Sequence, residues 1–423
     1  MSAFAGLGPT VRCFGMVLLA AAAGAQPPKR APASDLKAVA GLIEAGQLDP
    51  AERQLRRLLA QGDSPAARSL LGLVLVKEGR ADEAERELKA ALAANPALLA
   101  ARQHLVRLYL AQKRDADATA ELRRAARLGP LDRDLGLKLA GVELAEGHIE
   151  AATRQLRSVA DRFKSVQALL QLARLQSGQK DAGAALDTLG QARALAPNSE
   201  EVLSAYAEAS QAARGPRAAI PVLDVLIRLC PTAASYRYSL GVALLRAGDA
   251  EGAVSALQEA DRLEANQPRT LVALGAALND RELPAEARTS LLRAVSLAPD
   301  DIDALAALAE SEVGAGELKE AETHAERVLS RESGHATANL VRGIVLMRQE
   351  RYAEARDVLS RAAAADPASW KADHYLSQAC AALGDAAGSE KHAVQSRAKR
   401  KAVEEQVREL RKLREPAPGA VPH

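Results

Sequence analysis

The residue types that most often carry catalysis or bind metals are scattered along this chain. Seven histidines are present, and no two of them stand four residues apart: His104, His148, His324, His335, His374, His392 and His423. The spacings H-E-x-x-H and C-x-x-C, which place ligands around zinc, do not occur. The phosphate loop G-x-x-x-x-G-K-[ST] is also missing. The sequence therefore predicts no metal site, no cofactor and no enzyme activity.

The sequence contains a strict repeat, and the secondary-structure elements that would position any functional site belong to this repeat. Ten alanines recur at intervals of 33 or 34 residues: Ala51, Ala84, Ala118, Ala152, Ala185, Ala219, Ala253, Ala287, Ala321 and Ala355. A leucine stands four residues after each of these alanines, except that Ala325 follows Ala321. A period of this length predicts stacked repeats, each of which buries an apolar face against its neighbours.

One repeat, residues 64–96, shows the expected local structure. Ser64 can cap a first helix that begins at Pro65, and Gly79 starts the turn that ends this helix. Ala84 and Leu88 then share one face of a second helix, which ends before Pro96. No sustained alternation typical of strands occurs, so the sequence predicts an all-α protein built from helix pairs.

This pattern resembles the tetratricopeptide repeat over about residues 35–388. If the recurrent alanine is numbered position 20, position 8 is small in most repeats: Gly72, Ala140, Ala173, Ala207, Gly241, Gly275, Ala309 and Gly343. Position 27 is alanine in six repeats, and position 32 is proline in six. The resemblance implies a right-handed superhelical solenoid of antiparallel helix pairs, with about eleven repeats and a C-terminal capping helix.

The resemblance also implies that positions 2, 5, 9, 12 and 13 of each first helix line a binding groove. Two repeats place three apolar side chains at these positions: Tyr238, Val242 and Leu245 in one, and Leu340, Ile344 and Met347 in the other. Apolar patches of this kind often bind partners. The alternative is that these side chains contact the next repeat or a terminus that curls back.

Charged residues occupy other groove positions. Arg107 and Arg174 belong to the N-terminal half, and Glu201, Glu208 and Lys371 follow further along. They predict either a mixed electrostatic lining or an ordinary solvated face.

The N-terminal segment differs from the repeats. Residues 1–25 contain one charge, Arg12, an apolar run of about a dozen residues, and the small-residue pattern Ala23-Gly24-Ala25. These features predict a signal peptide cleaved after Ala25, and hence a secreted or periplasmic protein with no transmembrane helix in the mature chain. A Pro-rich spacer, residues 26–34, would follow. The alternative is an alanine-rich leader on a cytosolic protein.

The C-terminal end is strongly charged. Residues 389–415 predict a helix with nine basic and five acidic residues, and residues 416–423 a disordered tail. An apolar stripe runs along this helix: Val403, Val407, Leu410 and Leu413. Three interpretations remain open: a polar cap on the repeats, a coiled coil with a partner, and contact with an anionic polymer or membrane through Lys399, Arg400 and Lys401.

These features predict a non-catalytic interaction scaffold of the cell envelope or secretory compartment, which binds a protein or peptide in the groove of the repeats. Basic and acidic residues are nearly balanced, 56 against 54, and we expect no nucleic-acid partner. The alternative function is association with an anionic surface through the C-terminal helix.

Overall fold

The computed structural model describes residues 33–414, and helices are the only regular elements within this range. The predicted signal peptide (1–25), most of the predicted spacer (26–34) and the predicted tail (416–423) lie outside the described residues. Twenty-two helices form eleven consecutive pairs in this part of the chain, which confirms the predicted all-α class and the number of repeats.

The chain divides into two compact units, residues 1–155 and 156–423, which are described separately. The first unit contains α1 (Ala33–Glu44), α2 (Leu48–Gln61), α3 (Pro65–Lys77), α4 (Ala81–Ala94), α5 (Leu99–Ala111), α6 (Asp115–Leu128) and α7 (Arg133–Ala145). The division falls inside α8 (Ile149–Phe163).

The second unit holds the remaining helices. They are α9 (Val166–Gly178), α10 (Ala182–Leu195), α11 (Glu200–Arg214), α12 (Pro216–Leu229), α13 (Ala234–Arg246), α14 (Ala250–Leu263), α15 (Pro268–Asp280), α16 (Pro284–Leu297), α17 (Ile302–Ala315), α18 (Leu318–Arg331), α19 (Ala336–Arg348), α20 (Tyr352–Ala365), α21 (Trp370–Ala382) and α22 (Ala386–Arg414).

The recurrent alanines and leucines form the seams between the helices, as the repeat predicts. Each of the ten alanines at position 20 is at most 1% exposed. The nine leucines at position 24 are at most 4% exposed. Small side chains on one helix let the neighbouring helix axis approach, and the leucines fill the space that remains.

The two helices of a pair lie close together where position 8 is glycine. A Cβ atom added to Gly275 of α15 would lie 2.3 Å from Cγ of Leu291 on α16, and one added to Gly241 would lie 2.4 Å from Cγ of Leu257. These distances are far below van der Waals contact. The absence of a side chain at position 8 therefore sets the spacing of these helix pairs.

The turn inside each pair uses a left-handed residue. Gly79, the predicted breaker after α3, has a φ of 79°. Lys113 occupies the same place after α5 with a φ of 58°, although it is not glycine. The backbone N–H of Arg80 donates to the carbonyl of Leu75 across the first of these turns. Such bonds satisfy carbonyls at the helix end and favour the reversal of the chain.

The predicted N-terminal cap of α3 is confirmed. Ser64 precedes the helix, and its Oγ accepts a hydrogen bond from the backbone N–H of Ala67 at 3.3 Å. Pro65 occupies the first turn, where it needs no hydrogen-bond acceptor.

The charged C-terminal helix is continuous with the last repeat. The sequence predicts repeats up to about residue 388 and a separate helix over residues 389–415, whereas α22 runs without a break from Ala386 to Arg414. It is the second helix of the eleventh pair, and it packs on α21. No glycine or proline interrupts α22 after Gly388, so the second helix of the last repeat and the charged C-terminal helix are one continuous helix.

A buried histidine makes the first unit sensitive to pH. His104 on α5 is 9% exposed, and its Nδ1 lies 3.1 Å from the carbonyl oxygen of Ser69, to which it donates. Burial, aided by the nearby charge of Arg107, lowers the pKa of His104 to about 4.

Because the folded state binds this proton less readily than the unfolded state, stability is lost as pH falls from about 6.5 to about 4. We expect the free energy of unfolding to fall by about 3 kcal/mol over this interval through His104 alone. Denaturant unfolding at pH 7 and pH 4 measures the loss. It should be smaller in His104→Gln; an equal loss in both proteins would contradict this prediction.

Candidate functional site

The second unit encloses a groove between α15, α17, α19, α21 and α22. Its volume is about 490 Å³. Apolar, aromatic and cationic side chains line it, and we call it the aromatic groove: Leu340, Ile344, Trp370, Lys371, His374, Tyr375, Arg397 and Arg400, among others.

The lining residues of this groove fall at the repeat positions that the resemblance implies. Leu340 and Ile344 are positions 5 and 9 of α19, and Glu310 and Val313 are positions 9 and 12 of α17. Lys371 is position 2 of α21. The first helices of four successive repeats therefore face one another across the groove.

Leu340 and Ile344 are more deeply buried than their sequence positions suggested. They are 7% and 5% exposed and belong to a hydrophobic cluster that also includes Leu376 of α21. Met347 is partly buried against the same cluster. Leu340 and Ile344 form the floor of the groove because α21 packs over α19, so a ligand would contact their edges only. Met347 is not among the residues that line the groove. The role of all three in partner binding stays a prediction.

Three aromatic rings on α21 form a wall of the groove that sequence reasoning missed. The ring centroids of Trp370 and His374 are 6.2 Å apart, and those of His374 and Tyr375 are 5.3 Å apart, with edge-to-face geometry in both pairs. The guanidinium of Arg400 on α22 lies 5.3 Å from the centroid of the Trp370 ring. Aromatics are only 2% of this chain, so its single tryptophan, Trp370, was an available signal.

A partly buried network of three charged side chains connects three of the helices around the aromatic groove. Nζ of Lys371 lies 2.8 Å from Glu310 on α17 and 2.9 Å from Asp280 at the end of α15. Burial alone would lower the pKa of Lys371, but the two carboxylates outweigh it and raise that pKa above its ordinary value. Lys371 is therefore a permanent cation that holds α21 against the preceding repeats.

The other predicted apolar patch lies on α13, apart from the aromatic groove. Tyr238 and Leu245 are partly buried against the core of the surrounding repeats. The guanidinium of Arg269 stacks 4.9 Å from the centroid of the Tyr238 ring, and Val242 is also partly buried. The structure does not bring this patch together with Leu340, Ile344 and Met347 in one pocket.

The first helices α9, α11 and α13 enclose a second, acidic groove of about 830 Å³. Arg174 points into it and bonds Glu201 at 2.8 Å. Glu200 accepts a hydrogen bond of 2.7 Å from the hydroxyl of Tyr236, which lowers the pKa of Glu200. A mixed electrostatic lining is therefore present here. Arg107 belongs to the first unit, where it forms an ion pair with Asp132.

The proximal half of α22 caps α21 through polar contacts. Asp373, which is 3% exposed, accepts hydrogen bonds from His392 at 2.8 Å and from Lys399. Ser396 donates to the carbonyl of Trp370 at 3.0 Å. Lys399 thus faces α21, whereas Lys401 is largely exposed and pairs only with Glu405 on its own helix. The structure does not present Lys399, Arg400 and Lys401 on one free face.

The distal half of α22 extends back to α12, α13 and α14. Leu410 is 5% exposed within the core of those repeats. Arg411 lies 2.6 Å from Asp249, and Arg414 lies 3.1 Å from Asp224. A terminus that curls back, one of the alternatives for the groove residues, is therefore a feature of this fold.

One group of residues in the described range has a spacing suited to a metal: Glu143, Glu146 and His148. Arg123 already fills its centre, since its guanidinium bonds Glu143 at 2.9 Å and also contacts Glu146. This ion pair lowers the pKa of Glu143. The cluster is an ion-pair contact within the first unit.

Within residues 33–414, no helix is long and apolar enough to cross a membrane.

Two sequence-family models match the chain. The model TPR_16, a tetratricopeptide repeat, matches residues 41–98, 206–269, 306–369 and 340–402. The model TPR_19, also a tetratricopeptide repeat, matches residues 75–140. No curated protein matches the chain.

Several solved structures resemble parts of the chain at low identity. A tetratricopeptide repeat protein from Parabacteroides merdae has a TM-score of 0.47 and 14% identity, and covers 58% of this chain and 98% of its own. Yeast Tom70 has a TM-score of 0.38 and 14% identity, covering 89% and 96%. YrrB, described as a TPR protein with an unusual peptide-binding site, has a TM-score of 0.34 and 22% identity, covering 44% and 96%.

All three TM-scores are below 0.5, so family membership rests on the sequence models. These models cover more than half of the chain, and their matches fall on the helix pairs with buried alanine seams. The protein therefore belongs to the tetratricopeptide repeat family.

Proposed function

We propose that this protein is a non-catalytic scaffold that binds a protein or peptide partner in the aromatic groove. The observation that carries the proposal is the wall formed by Trp370, His374 and Tyr375 above an apolar floor. Aromatic side chains bury large areas at little entropic cost, and they dominate binding energy in most interfaces.

The charges around the groove favour a partner that combines an apolar anchor with an acidic group. Arg397 and Arg400 lie at its edge with side chains that are 70% and 62% exposed. Lys371, in contrast, is committed to Glu310 and Asp280. Arginine at the rim of an aromatic pocket gives orientation and speeds association with acidic partners.

The geometry of the groove keeps its lysine from acting as a nucleophile or a base. Lys371 is the only amine that lines the groove in the described part of the chain, and its two carboxylate partners keep it protonated. A protonated amine cannot act as a nucleophile or a base.

We favour the groove over association with an anionic surface. That alternative requires Lys399, Arg400 and Lys401 to act together, but Lys399 bonds Asp373 and faces α21. Of these three side chains, Lys401 alone makes no contact with another helix in the described part of the chain.

Combined substitution of Tyr375→Ala and His374→Ala is expected to weaken capture of the partner by about tenfold or more, because the aromatic wall is lost. Tagged full-length protein would be incubated with envelope extract, and bound proteins quantified by mass spectrometry. Tyr352→Ala, which removes a tyrosine from α20 outside the groove, is the matched control. Equal recovery of every bound protein by all three chains would refute the groove as the binding site.

We propose further that this scaffold acts in the cell envelope or secretory compartment, on the grounds of the predicted signal peptide. The N-terminal sequence of the protein purified from its native host should begin at Gln26. A sequence that begins upstream of Gln26 would be inconsistent with this proposal.

A further inference from the structure

The distal half of α22, residues 401–414, lies on a surface that combines acidic and apolar groups. Asp224 comes from α12, and Asp249 and Glu251 come from the start of α14. Ile220 of α12 and Gly248 of the turn after α13 provide the apolar part. We call these five residues the acidic seat.

Two arginines of α22 form ion pairs with the carboxylates of the acidic seat. The guanidinium of Arg411 lies 2.6 Å from Asp249 and 2.9 Å from Glu251. Arg414 makes two hydrogen bonds to the carboxylate of Asp224, of 3.1 and 3.2 Å. Two parallel bonds from a guanidinium to a carboxylate fix the orientation as well as the distance.

The backbone of the seat is shaped for the close approach of a helix. A Cβ atom added to Gly248 would lie 2.6 Å from Cγ1 of Val403 and 3.6 Å from Cγ2 of Val407. Gly248 also has a φ of 87°, which disfavours any other residue. Val403 and Val407 of α22 therefore pack directly against the backbone at Gly248.

This contact is small and incompletely filled. Leu410 is the only side chain of residues 401–414 that the structure describes as buried, and Arg411 is 48% exposed. A cleft of about 300 Å³ remains between α12 and α22, lined by the apolar Ile220, Pro221 and Leu410 and by charged side chains that include Arg217, Asp224 and Arg228. This unfilled space leaves room for a bulkier side chain than those that α22 places there.

We propose that the acidic seat is a docking site for a basic amphipathic helix of a partner protein, and that the distal half of α22 occupies it until this partner displaces it. The bound segment defines the chemistry of the partner: valine or leucine on one face, and two arginines three residues apart at its C-terminal end. Recognition of a helix by a groove with such anchors is a recurring binding mode. The seat shares no residue with the aromatic groove, so this inference is independent of the proposed function.

The test uses full-length chains and a fluorescent peptide of residues 399–414 as the probe. Arg411→Glu with Arg414→Glu removes both ion pairs of α22 and leaves the seat intact. We expect the peptide to bind this release variant at least tenfold more tightly than it binds the wild type, because the internal competitor is lost. Fluorescence anisotropy measures both affinities.

Two further chains complete the test. Asp224→Asn with Glu251→Gln, added to the release variant, should weaken the binding at least tenfold and leaves the Asp249 cap of α14 in place. Arg408→Glu with Lys412→Glu carries the same charge change on exposed positions of α22 and should behave as the wild type.

Hydrogen exchange of residues 401–414 shows whether the helix has been released. We expect rapid exchange in the release variant, and in the wild type saturated with peptide. Protection that persists in the release variant, or peptide binding that is indifferent to the seat substitutions, would overturn the proposal. A wild-type dimer in light scattering that the seat substitutions dissolve would also overturn it, since a second copy would then be the occupant.

Discussion

Replacement of Gly275 by leucine is expected to destabilise the second unit by about 3 kcal/mol, the upper part of the range for overpacking a core. A Cβ atom at this position would lie 2.3, 2.6 and 2.7 Å from three side-chain carbons of Leu291. Leucine adds three more carbons, so α15 and α16 must separate. Denaturant unfolding followed by circular dichroism measures the loss.

The control and the compensating change come from the chain itself. Gly190 lies inside α10, where an added Cβ would meet nothing within 4 Å, so Gly190→Leu should be neutral or slightly stabilising.

The ninth repeat already pairs Ala309 with Ala325, both fully buried. Gly275→Ala combined with Leu291→Ala should therefore cost less than the sum of the single changes, by about 1 kcal/mol. Strict additivity, or equal effects of Gly275→Leu and Gly190→Leu, would show that this contact does not set the helix spacing.

Replacement of Asp373 by alanine is expected to cost about 3 kcal/mol and to loosen α22 from α21. The carboxylate is the common partner of Lys399 and His392, and its loss leaves a partly buried ammonium without a counter-charge. Burial by itself would raise the pKa of Asp373, but these two partners hold it below its ordinary value. The stabilisation is therefore present above about pH 4 and is lost as pH falls below it.

Hydrogen exchange of residues 386–400 measures this loosening most directly, because it reports local opening. Glu390→Gln is the control, since Glu390 pairs with Arg397 at an exposed position of the same helix. It should change the free energy of unfolding by less than about 0.5 kcal/mol. Unaltered protection of α22 in Asp373→Ala would mean that apolar packing alone holds the helix.

The helix pairs and their seams could be predicted from the sequence because the signals are local and repeated. The alanine and leucine seen at Ala84 and Leu88 recur with the same spacing in nine of the eleven repeats, and burial at these positions is what a stacked helix pair requires. Ser64 and Gly79 mark a helix start and a turn through bonds to residues only a few positions away.

The site could be predicted only in part, because its contacts join repeats that are distant in sequence. Positions 5 and 9 located Leu340 and Ile344 in the groove, but not their burial beneath α21. The stripe on α22 indicated an apolar contact, yet Arg414 finds Asp224 190 residues earlier. Whether two such residues meet depends on how the intervening helix pairs stack, and no local sequence pattern specifies that stacking.

The aromatic wall was missed for a related reason. Trp370 and Tyr375 fall at positions 1 and 6 of the last repeat, which are not among the positions that the resemblance assigns to the groove. The single tryptophan of the chain lies in this repeat, and in a protein with so few aromatics it was the best available indication of a binding surface.

Site-specific photo-crosslinking tests the central claim, partner binding in the aromatic groove, most directly. A benzophenone amino acid would replace Tyr375 in full-length protein expressed in its native host, and Tyr352 in a parallel chain. We expect a defined protein adduct from position 375 that position 352 does not give. No adduct at position 375, or the same adducts from both positions, would contradict the proposed groove.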